Sequence, residues 1–416
     1  MFSKFIVGLS LMLPLSSWAA LSLEQAEQLA LAQDPANQRY SQQQASLGAQ
    51  AIANSQLPDP MLRFGVQGLP TDSFALDQDP MTQLQVGLSQ QFSRGDSLAL
   101  TAEGYQLQAE QSAEKQAERA LQIRRRVREL WFQLSYVIEA QQLVAENQRL
   151  LEQNLRHIER QVELGLKQSQ DLLQGQLQLA QLTDQAQRYQ QLEHSQRAML
   201  ISLVGPSAGQ ELLPAAADWP TTVAYSERDE YNHSDLLLQH PSLLASLNAI
   251  AQADTRIALA EERFKPAFKV ELGYGHRRAR ELDGSQRSDM LSGFVTMDLP
   301  LFTDKRQNQQ LIASEHGRGM ALAERDLLLQ EMNGTLNAAI ANYQLLQQRR
   351  RHYQQVLLPQ AQAHIDAVEQ GFESTTSDFN QVIQSHRQQL MLQLELLQLD
   401  SQANQALAQI RYFQGS

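Results

Sequence analysis

Cysteine is absent from the 416 residues of this chain. Its absence excludes disulfide bonds, thiolate metal sites and a lipid-modified N-terminal cysteine, so we expect the protein not to be lipidated. Aromatic residues are also few, at 6% of the sequence, whereas glutamine is frequent in every segment with helical periodicity. This composition favours long helices with narrow apolar seams over a single thick core.

Basic residues do not outnumber acidic residues. The formal net charge is −12, which argues against nucleic acid as a partner, because nucleic acid requires a basic surface. After the first twenty residues, no segment approaches the run of about 18 apolar residues that is typical of a transmembrane helix. If the protein lies in a membrane, we therefore expect strands to span it.

The first residues have the pattern of a secretory signal peptide. Lys4 precedes an apolar stretch over residues 5–15, and the small residues Ser17 and Ala19 follow it. We predict that residues 1–19 are a signal peptide, with cleavage after Ala20 as the alternative, and that the mature chain is exported. The alternative, an N-terminal membrane anchor, is disfavoured because the apolar stretch is too short to span a bilayer.

Motifs of common enzymes and metal sites are missing too. The sequence contains no HExxH, GxSxG, P-loop or GxGxxG pattern, and its nine histidines show no paired ligand spacing. We therefore expect no catalytic residues, no cofactor and no metal site. The basic run Arg124, Arg125 and Arg126 is most simply interpreted as a solvated or interhelical charge cluster.

After the predicted signal peptide, the chain consists of two copies of one unit. Each copy contains a helix, a strand hairpin and a long helical hairpin. Three landmarks recur at nearly the same separation: Pro58 and Pro266, Phe92 and Phe302, and Gly165 and Gly371. We predict a first repeat over residues 20–204, a connector over 205–239, a second repeat over 240–412 and a C-terminal tail over 413–416. The connector is rich in proline, alanine and polar residues, which is typical of irregular structure.

Each repeat contains two segments in which apolar and polar residues alternate. We predict strands at about 61–67 and 83–92 in the first repeat, and at about 267–276 and 289–300 in the second. The residues expected to face lipid are apolar and share one side: Leu84, Val86, Leu88, Val270, Leu272 and Val295. A half-buried sheet in a soluble protein is the alternative. A barrel needs about eight strands, so the four strands either pack on another part of the protein or are pooled between several chains, and we favour pooling.

Two long helices are predicted over residues 96–164 and 304–370, each about 100 Å long at ~1.5 Å per residue. Their apolar residues have the spacing of coiled-coil seams. The seam residues are Val144, Leu151, Leu155, Ile158 and Val162 in the first helix, and Met332, Leu336, Ala339, Tyr343 and Leu346 in the second.

Each long helix is followed by a predicted turn, near residues 165–169 and 371–377. Gly165 and Gly371 suit the positive φ or open backbone of a tight reversal. Ser169 and Ser377 can cap the helices that follow, and Asp171 and Asp378 lie in or near the first turns of these helices.

The whole mature chain resembles the outer-membrane factor family, the TolC-type efflux channels of Gram-negative bacteria. The resemblance is carried by LSLEQAEQLALAQDP, LPDP, HPSLLASLNAIAQADTRIALAEERFKPAF and DLPLFTDKRQNQQ, and by GLKQSQDLL and GFESTTSDF at the two turns. It implies a mainly α fold with a small β part. In this fold a homotrimer forms a twelve-stranded outer-membrane barrel, surrounded by lipid and continued by a long α-helical periplasmic tunnel.

The resemblance also implies partners and sites. The tip of the tunnel would dock on a periplasmic adaptor protein that is served by an inner-membrane RND-type pump. The matching tip residues are Gly165, Leu166, Ser169, Asp171, Leu172, Gly371, Phe372, Ser377, Asp378 and Phe379. The entrance gate aligns with Gln381 and Gln384, where many relatives have aspartates.

The expected function is a passive exit duct. The segment LPTDSFALDQDPMTQLQVGLSQQF is most similar to the branch that works with heavy-metal-exporting pumps, whereas multidrug efflux and type I protein secretion are alternatives of the same class. A soluble periplasmic coiled-coil scaffold is the alternative from another class. A single-chain porin would need many more strands and would usually end on one.

Overall fold

The computed structural model describes residues 20–213, 219–226, 231–374 and 378–415. The predicted signal peptide and Ser377 lie outside the described residues. The chain divides into two compact units. The helical unit consists of the described residues within Met1–Pro35, Arg119–Leu236 and Met332–Ser416, and the sheet unit consists of Ala36–Glu118 and Leu237–Glu331.

The described elements are mainly helical. In chain order they are α1 (Leu23–Gln33), α2 (Pro35–Asn54), β1 (Met61–Gln67), β2 (Gln83–Phe92), α3 (Ser97–Glu163), α4 (Ser169–Val204), a 3₁₀ turn (Pro206–Gly209), α5 (Pro220–Ser226), α6 (Ser234–Leu237), α7 (Pro241–Glu262), β3 (Phe268–His276), β4 (Met290–Met297), α8 (Gln307–His352), a π turn (Tyr353–Leu357), α9 (Leu358–Glu373) and α10 (Phe379–Phe413). None of the described helices combines the length and the apolar character needed to cross a bilayer.

The sheet unit is built on one four-stranded antiparallel sheet in the order β1-β2-β3-β4. The strands lie where the sequence alternates between apolar and polar residues, but β4 ends at Met297 rather than at residue 300. Asp298 and Pro300 explain the earlier end. The Asp298 carboxylate accepts the Ala267 backbone N–H, and Pro300 has no N–H to donate to a neighbouring strand.

At one end of this sheet the strands connect to helices, and at the other end lie the β1–β2 and β3–β4 loops. At the helical end, the Glu262 carboxylate at the end of α7 accepts the Asp96 backbone N–H at 3.1 Å and binds Lys265 Nζ at 2.6 Å. The hydrogen bond from Lys265 lowers the pKa of Glu262. The start of α3 is therefore fastened to the end of α7.

The helical unit is held together by the seams that the sequence predicts. Val144, Leu155 and Ile158 of α3 are buried, and Leu151 and Val162 pack against the same clusters while remaining partly exposed. All five seam residues of the second long helix are buried: Met332, Leu336, Ala339, Tyr343 and Leu346. Leu130, Trp131 and Leu134 of α3 are among the largest side chains that are fully buried.

The second long helix is not continuous, contrary to the prediction for residues 304–370. It begins at Gln307 and is interrupted by the π turn at Tyr353–Leu357 before α9 begins at Leu358. Pro359 gives the physical reason, because proline cannot donate the i→i−4 hydrogen bond and its ring collides with the carbonyl one turn earlier. A wider turn relieves both problems.

Candidate functional site

One candidate site is the apolar face of the sheet. The pairing aligns Val86 with Phe64 on one side and Tyr274 on the other, and it aligns Leu272 with Leu88. Val270 of β3 pairs with Val295 of β4, which places Val295 on the same face. The six residues predicted to face lipid therefore all lie on this face. Residues on one face of neighbouring strands form a continuous surface.

This apolar face is exposed in the single chain. The exposed fraction reaches 45% for Val86, 57% for Leu272 and 71% for Val295. Three residues of β1 that are not among those predicted to face lipid, Leu62, Phe64 and Val66, extend the same surface by one strand. The alternation of these residues with Arg63, Gly65 and Gln67 is the signal that identifies them.

The opposite face of the sheet is mostly polar. Arg63 of β1 and Glu271 of β3 form an ion pair at 3.1 Å, and Lys269 lies 3.4 Å from the same carboxylate. Gly87 of β2 lies between these two strands, and a Cβ built there would be 3.9 Å from both Arg63 Nε and Glu271 Oε1. Phe294 is an apolar exception on this face. The sheet therefore has one apolar face and one mostly polar face.

The second candidate site comprises the two helical turns of the helical unit. At the turn between α3 and α4, Gly165 has a φ of +72°, as the sequence predicts. The Gly165 N–H donates to Val162 O at 2.9 Å, and the Leu166 N–H donates to Gln161 O at 2.8 Å. These bonds satisfy carbonyls at the end of α3. Leu166 is exposed beside them.

The predicted cap at Ser169 is wrong. The N-cap of α4 is Gln168, whose side chain makes no capping hydrogen bond, and Ser169 is the first helical residue. The N-cap precedes the helix with extended backbone, so a residue that is already helical cannot fill that role. Asp171 does lie in the first turn of α4, where a negative charge is favourable.

The second turn differs from the first. Gly371 lies inside α9, which continues to Glu373, so the predicted reversal at Gly371 is wrong. The main chain leaves the helix at Ser374 instead, whose N–H donates to Gln370 O at 3.0 Å. Asp378 is the N-cap of α10, and its Oδ1 accepts the Gln381 N–H at 2.8 Å.

A shared apolar cluster connects the two turns. Phe379 is buried against Leu155 and Ile158 of α3, and Leu172 and Phe372 pack on the same cluster. The ring centroids of Phe372 and Phe379 are 6.2 Å apart, and Lys167 Nζ lies 4.6 Å from the centre of the Phe372 ring. Gln174 of α4 donates to Asn380 of α10 at 2.8 Å.

The two glutamines predicted at the gate occupy the exposed side of α10. Gln381 and Gln384 are exposed, whereas Val382 and Ile383 between them are buried. Gln384 Nε2 donates to Asn380 Oδ1 at 3.3 Å. Both amides are therefore directed away from the core of the chain.

Metal-ligating clusters are not part of either candidate site. Across the described ranges, no group of three His, Asp or Glu residues could hold a metal ion.

Known proteins share this architecture. Residues 232–416 match the family model described as outer membrane efflux protein. The chain has the fold of known outer-membrane channels. It is similar to CusC, with a TM-score of 0.77, 17% identity, and coverage of 95% of this chain and 92% of that one.

Two further solved structures are similar over nearly their whole lengths. The outer membrane protein VceC from Vibrio cholerae has a TM-score of 0.75 at 16% identity, with 95% of this chain and 96% of VceC covered. The open state of the Neisseria gonorrhoeae MtrE outer membrane channel has a TM-score of 0.72 at 16% identity, with 95% and 89% covered. A search of curated protein sequences gives no significant match.

Proposed function

We propose that this protein is the outer-membrane exit channel of a tripartite efflux system. In this account three copies pool their four-stranded sheets into one closed twelve-stranded barrel. The similarity of the C-terminal part to outer membrane efflux proteins and the shared channel fold support the proposal.

The exposed apolar face of the sheet is the observation that carries the proposal. A chain surrounded by water would leave Phe64, Val86, Leu272 and Val295 in contact with solvent on one continuous surface. Lipid removes that cost, and the polar face with Arg63 and Glu271 is then left to line a water-filled interior.

The outer strands of the sheet require neighbours. β1 and β4 each pair with only one other strand of the described chain. Backbone N–H and C=O groups without partners are costly in lipid, so an open four-stranded sheet is unsuitable there. Pooling of β1 from one chain with β4 from the next satisfies both edges and closes the barrel.

The helical hairpins form the periplasmic tunnel in this proposal. The turns around Gly165 and Asp378 form its tip and dock on a periplasmic adaptor that is fed by an inner-membrane RND-type pump. Leu166 offers exposed apolar surface for that contact, whereas the buried Phe379 supports the turn from within. Gln381 and Gln384 line the entrance.

Heavy-metal ions are the proposed cargo. The support is the similarity to the heavy-metal branch of residues 69–92, which form the β1–β2 loop and β2. A duct needs no resident metal site, because the cargo passes without being held. Multidrug efflux and type I secretion are alternatives of the same class, and a deletion strain tested for metal and drug sensitivity separates metal efflux from multidrug efflux. Selective sensitivity to metals supports the proposed cargo.

Cell fractionation tests the proposed location and assembly. The mature chain should appear in the outer-membrane fraction and migrate as a trimer after mild detergent extraction. Recovery as a soluble periplasmic monomer would favour the coiled-coil scaffold and reject the channel.

A further inference from the structure

Among the described residues, an open cleft in the helical unit is lined by more basic than acidic side chains. It lies between α1, α3 and α10 and has a volume of about 270 Å³. Its charged lining residues are Glu24, Glu27, Arg124, Arg128 and Arg411. Within the arginine run of α3, Arg124 therefore lines a cleft between helices, whereas Arg126 is exposed to solvent.

One acidic residue of the cleft is already engaged. Glu27 binds Arg128 through both carboxylate oxygens, at 2.7 Å to Nε and 3.1 Å to Nη2. The Arg128 side chain is 5% exposed, so this bidentate pair is shielded from water. Glu24, by contrast, is exposed and makes no ion pair with the described arginines.

Arg411 lines the cleft beside this pair and forms no ion pair with a carboxylate of the described residues. Its guanidinium lies 4.9 Å from the centre of the Trp219 ring, and that of Arg128 lies 5.0 Å from the same ring. Arg411 Nε is buried and has no hydrogen-bond acceptor among the described residues. Leaving a buried N–H donor without an acceptor is costly, so this donor is available to an acceptor that enters the cleft.

Repulsion between Arg411, Arg128 and Arg124 also favours an anion in the cleft. Burial lowers the pKa of Arg411, and the charges of Arg128 and Arg124 lower it further against the opposing effect of Glu27. Arg124 is partly buried and forms no ion pair within the described part of the chain. An anion between Arg124 and Arg411 would relieve this repulsion and accept the unused N–H groups.

We propose that this cleft binds a small oxyanion, a phosphate or carboxylate group, between Arg124 and Arg411. Guanidinium groups suit such a ligand because their N–H donors match the spacing of paired oxygen atoms. Trp219 holds the Arg411 guanidinium in place before the ligand arrives. A bound anion would link α3 to α10 and stabilise the helical unit. The site is independent of the proposed channel function.

The test uses the full mature chain in detergent with inorganic phosphate and acetate as separate probes. Chloride keeps the ionic strength constant, and binding is followed by calorimetry and by the midpoint of thermal unfolding. We expect saturable binding and a rise in the midpoint. A response to phosphate alone identifies a phosphate site, and a response to acetate as well identifies a general oxyanion site.

Three variants locate the binding. Arg411→Gln and Arg124→Gln should each weaken the binding of the responding probe by about tenfold or more, because each removes charge-assisted hydrogen bonds. Arg126→Gln is the matched control, since Arg126 is exposed on the same helix and pairs with Glu129 at 3.4 Å. It should leave the affinity unchanged. Arg124→Gln keeps the test decisive if Arg411→Gln unfolds.

Two results would overturn the proposal. The first is that neither probe shows saturable binding to the wild-type chain. The second is that Arg126→Gln loses as much affinity as Arg124→Gln. The second result would identify general attraction to a basic surface rather than a site.

Discussion

Gly175 of α4 lies so close to Leu155 of α3 that a methyl group at position 175 would overlap Leu155 Cδ2. The same methyl group would lie 3.4 Å from Phe379 Cε1. Leu155 and Phe379 are buried at 7% and 3% exposure, so neither can withdraw into solvent. The close approach of α3, α4 and α10 therefore depends on the absence of a side chain at this position.

We predict that Gly175→Ala destabilises the helical unit by about 1–3 kcal/mol, the usual cost of overpacking a close-packed core. Gly334→Ala in α8 is the matched control, because no atom lies within 4 Å of the position where its Cβ would be placed. That control should be stabilising by about 0.5–1 kcal/mol, since alanine is a better helix former than glycine. Chemical unfolding of both variants measures the difference. Equal stability of the two would show that the helices do not approach closely at Gly175.

Alanine substitutions at the starts of α10 and α4 should change the stability of the protein by different amounts. Asp378→Ala removes the acceptor for the Gln381 N–H and should cost about 1 kcal/mol of stability. Ser169→Ala should change stability by less than about 0.5 kcal/mol, because Ser169 is not the cap of α4. Thermal unfolding of both variants checks this. A larger loss for Ser169→Ala would contradict the observed cap positions.

The two faces of the sheet should respond differently to charge. Val86→Arg should impair membrane insertion by about 2–4 kcal/mol if the residue lies near the bilayer midplane. Gln85→Arg changes the neighbouring residue on the polar face and should be tolerated. The yield of folded protein in the outer-membrane fraction measures both effects. Equal tolerance would mean that the apolar face does not meet lipid.

Replacing the amide side chains at the proposed entrance by carboxylates should increase block of the channel by divalent cations. In a trimer, Gln381→Asp combined with Gln384→Asp would place six carboxylates around the axis, where they attract divalent cations. We expect stronger block by divalent cations in single-channel recordings, with trimer formation unchanged. If conductance and cation block both remain as in the wild type, these residues do not line the constriction.

The periodic features of the fold could be predicted from the sequence. Alternation with a period of two places Leu84, Val86 and Leu88 on one face, and the heptad-like spacing identifies the buried seam of α8. These patterns are repeated over many residues, so one irregular position does not hide them. The π turn was missed because Pro359 lies within an otherwise regular helical pattern.

Features that depend on distant residues could not be predicted. Nothing in the local sequence distinguishes Gly175 from the exposed Gly334, because the difference comes from Leu155 and Phe379 on other helices. Likewise, Arg124 and Arg411 are far apart in sequence and meet only in the folded cleft. Gly371 was misassigned because glycine permits a positive φ but does not require it.

Covalent linking of β1 to β4 tests the central claim, that several chains close one barrel. Within one sheet these strands are separated by β2 and β3, so they lie about 14 Å apart at a spacing of ~4.8 Å per strand. A disulfide needs Cα atoms within about 7 Å, so it cannot form between these strands of a single chain. The absence of native cysteine makes any new disulfide unambiguous.

The measurement uses Phe64→Cys combined in turn with Leu291→Cys, Gly293→Cys or Val295→Cys, which covers the possible registers of the seam. After oxidation in outer membranes, the account predicts that at least one combination gives a covalent trimer on a denaturing, non-reducing gel, while each single variant gives none. Monomers alone from all three combinations, in protein that is correctly inserted, would contradict the closure of the barrel between chains.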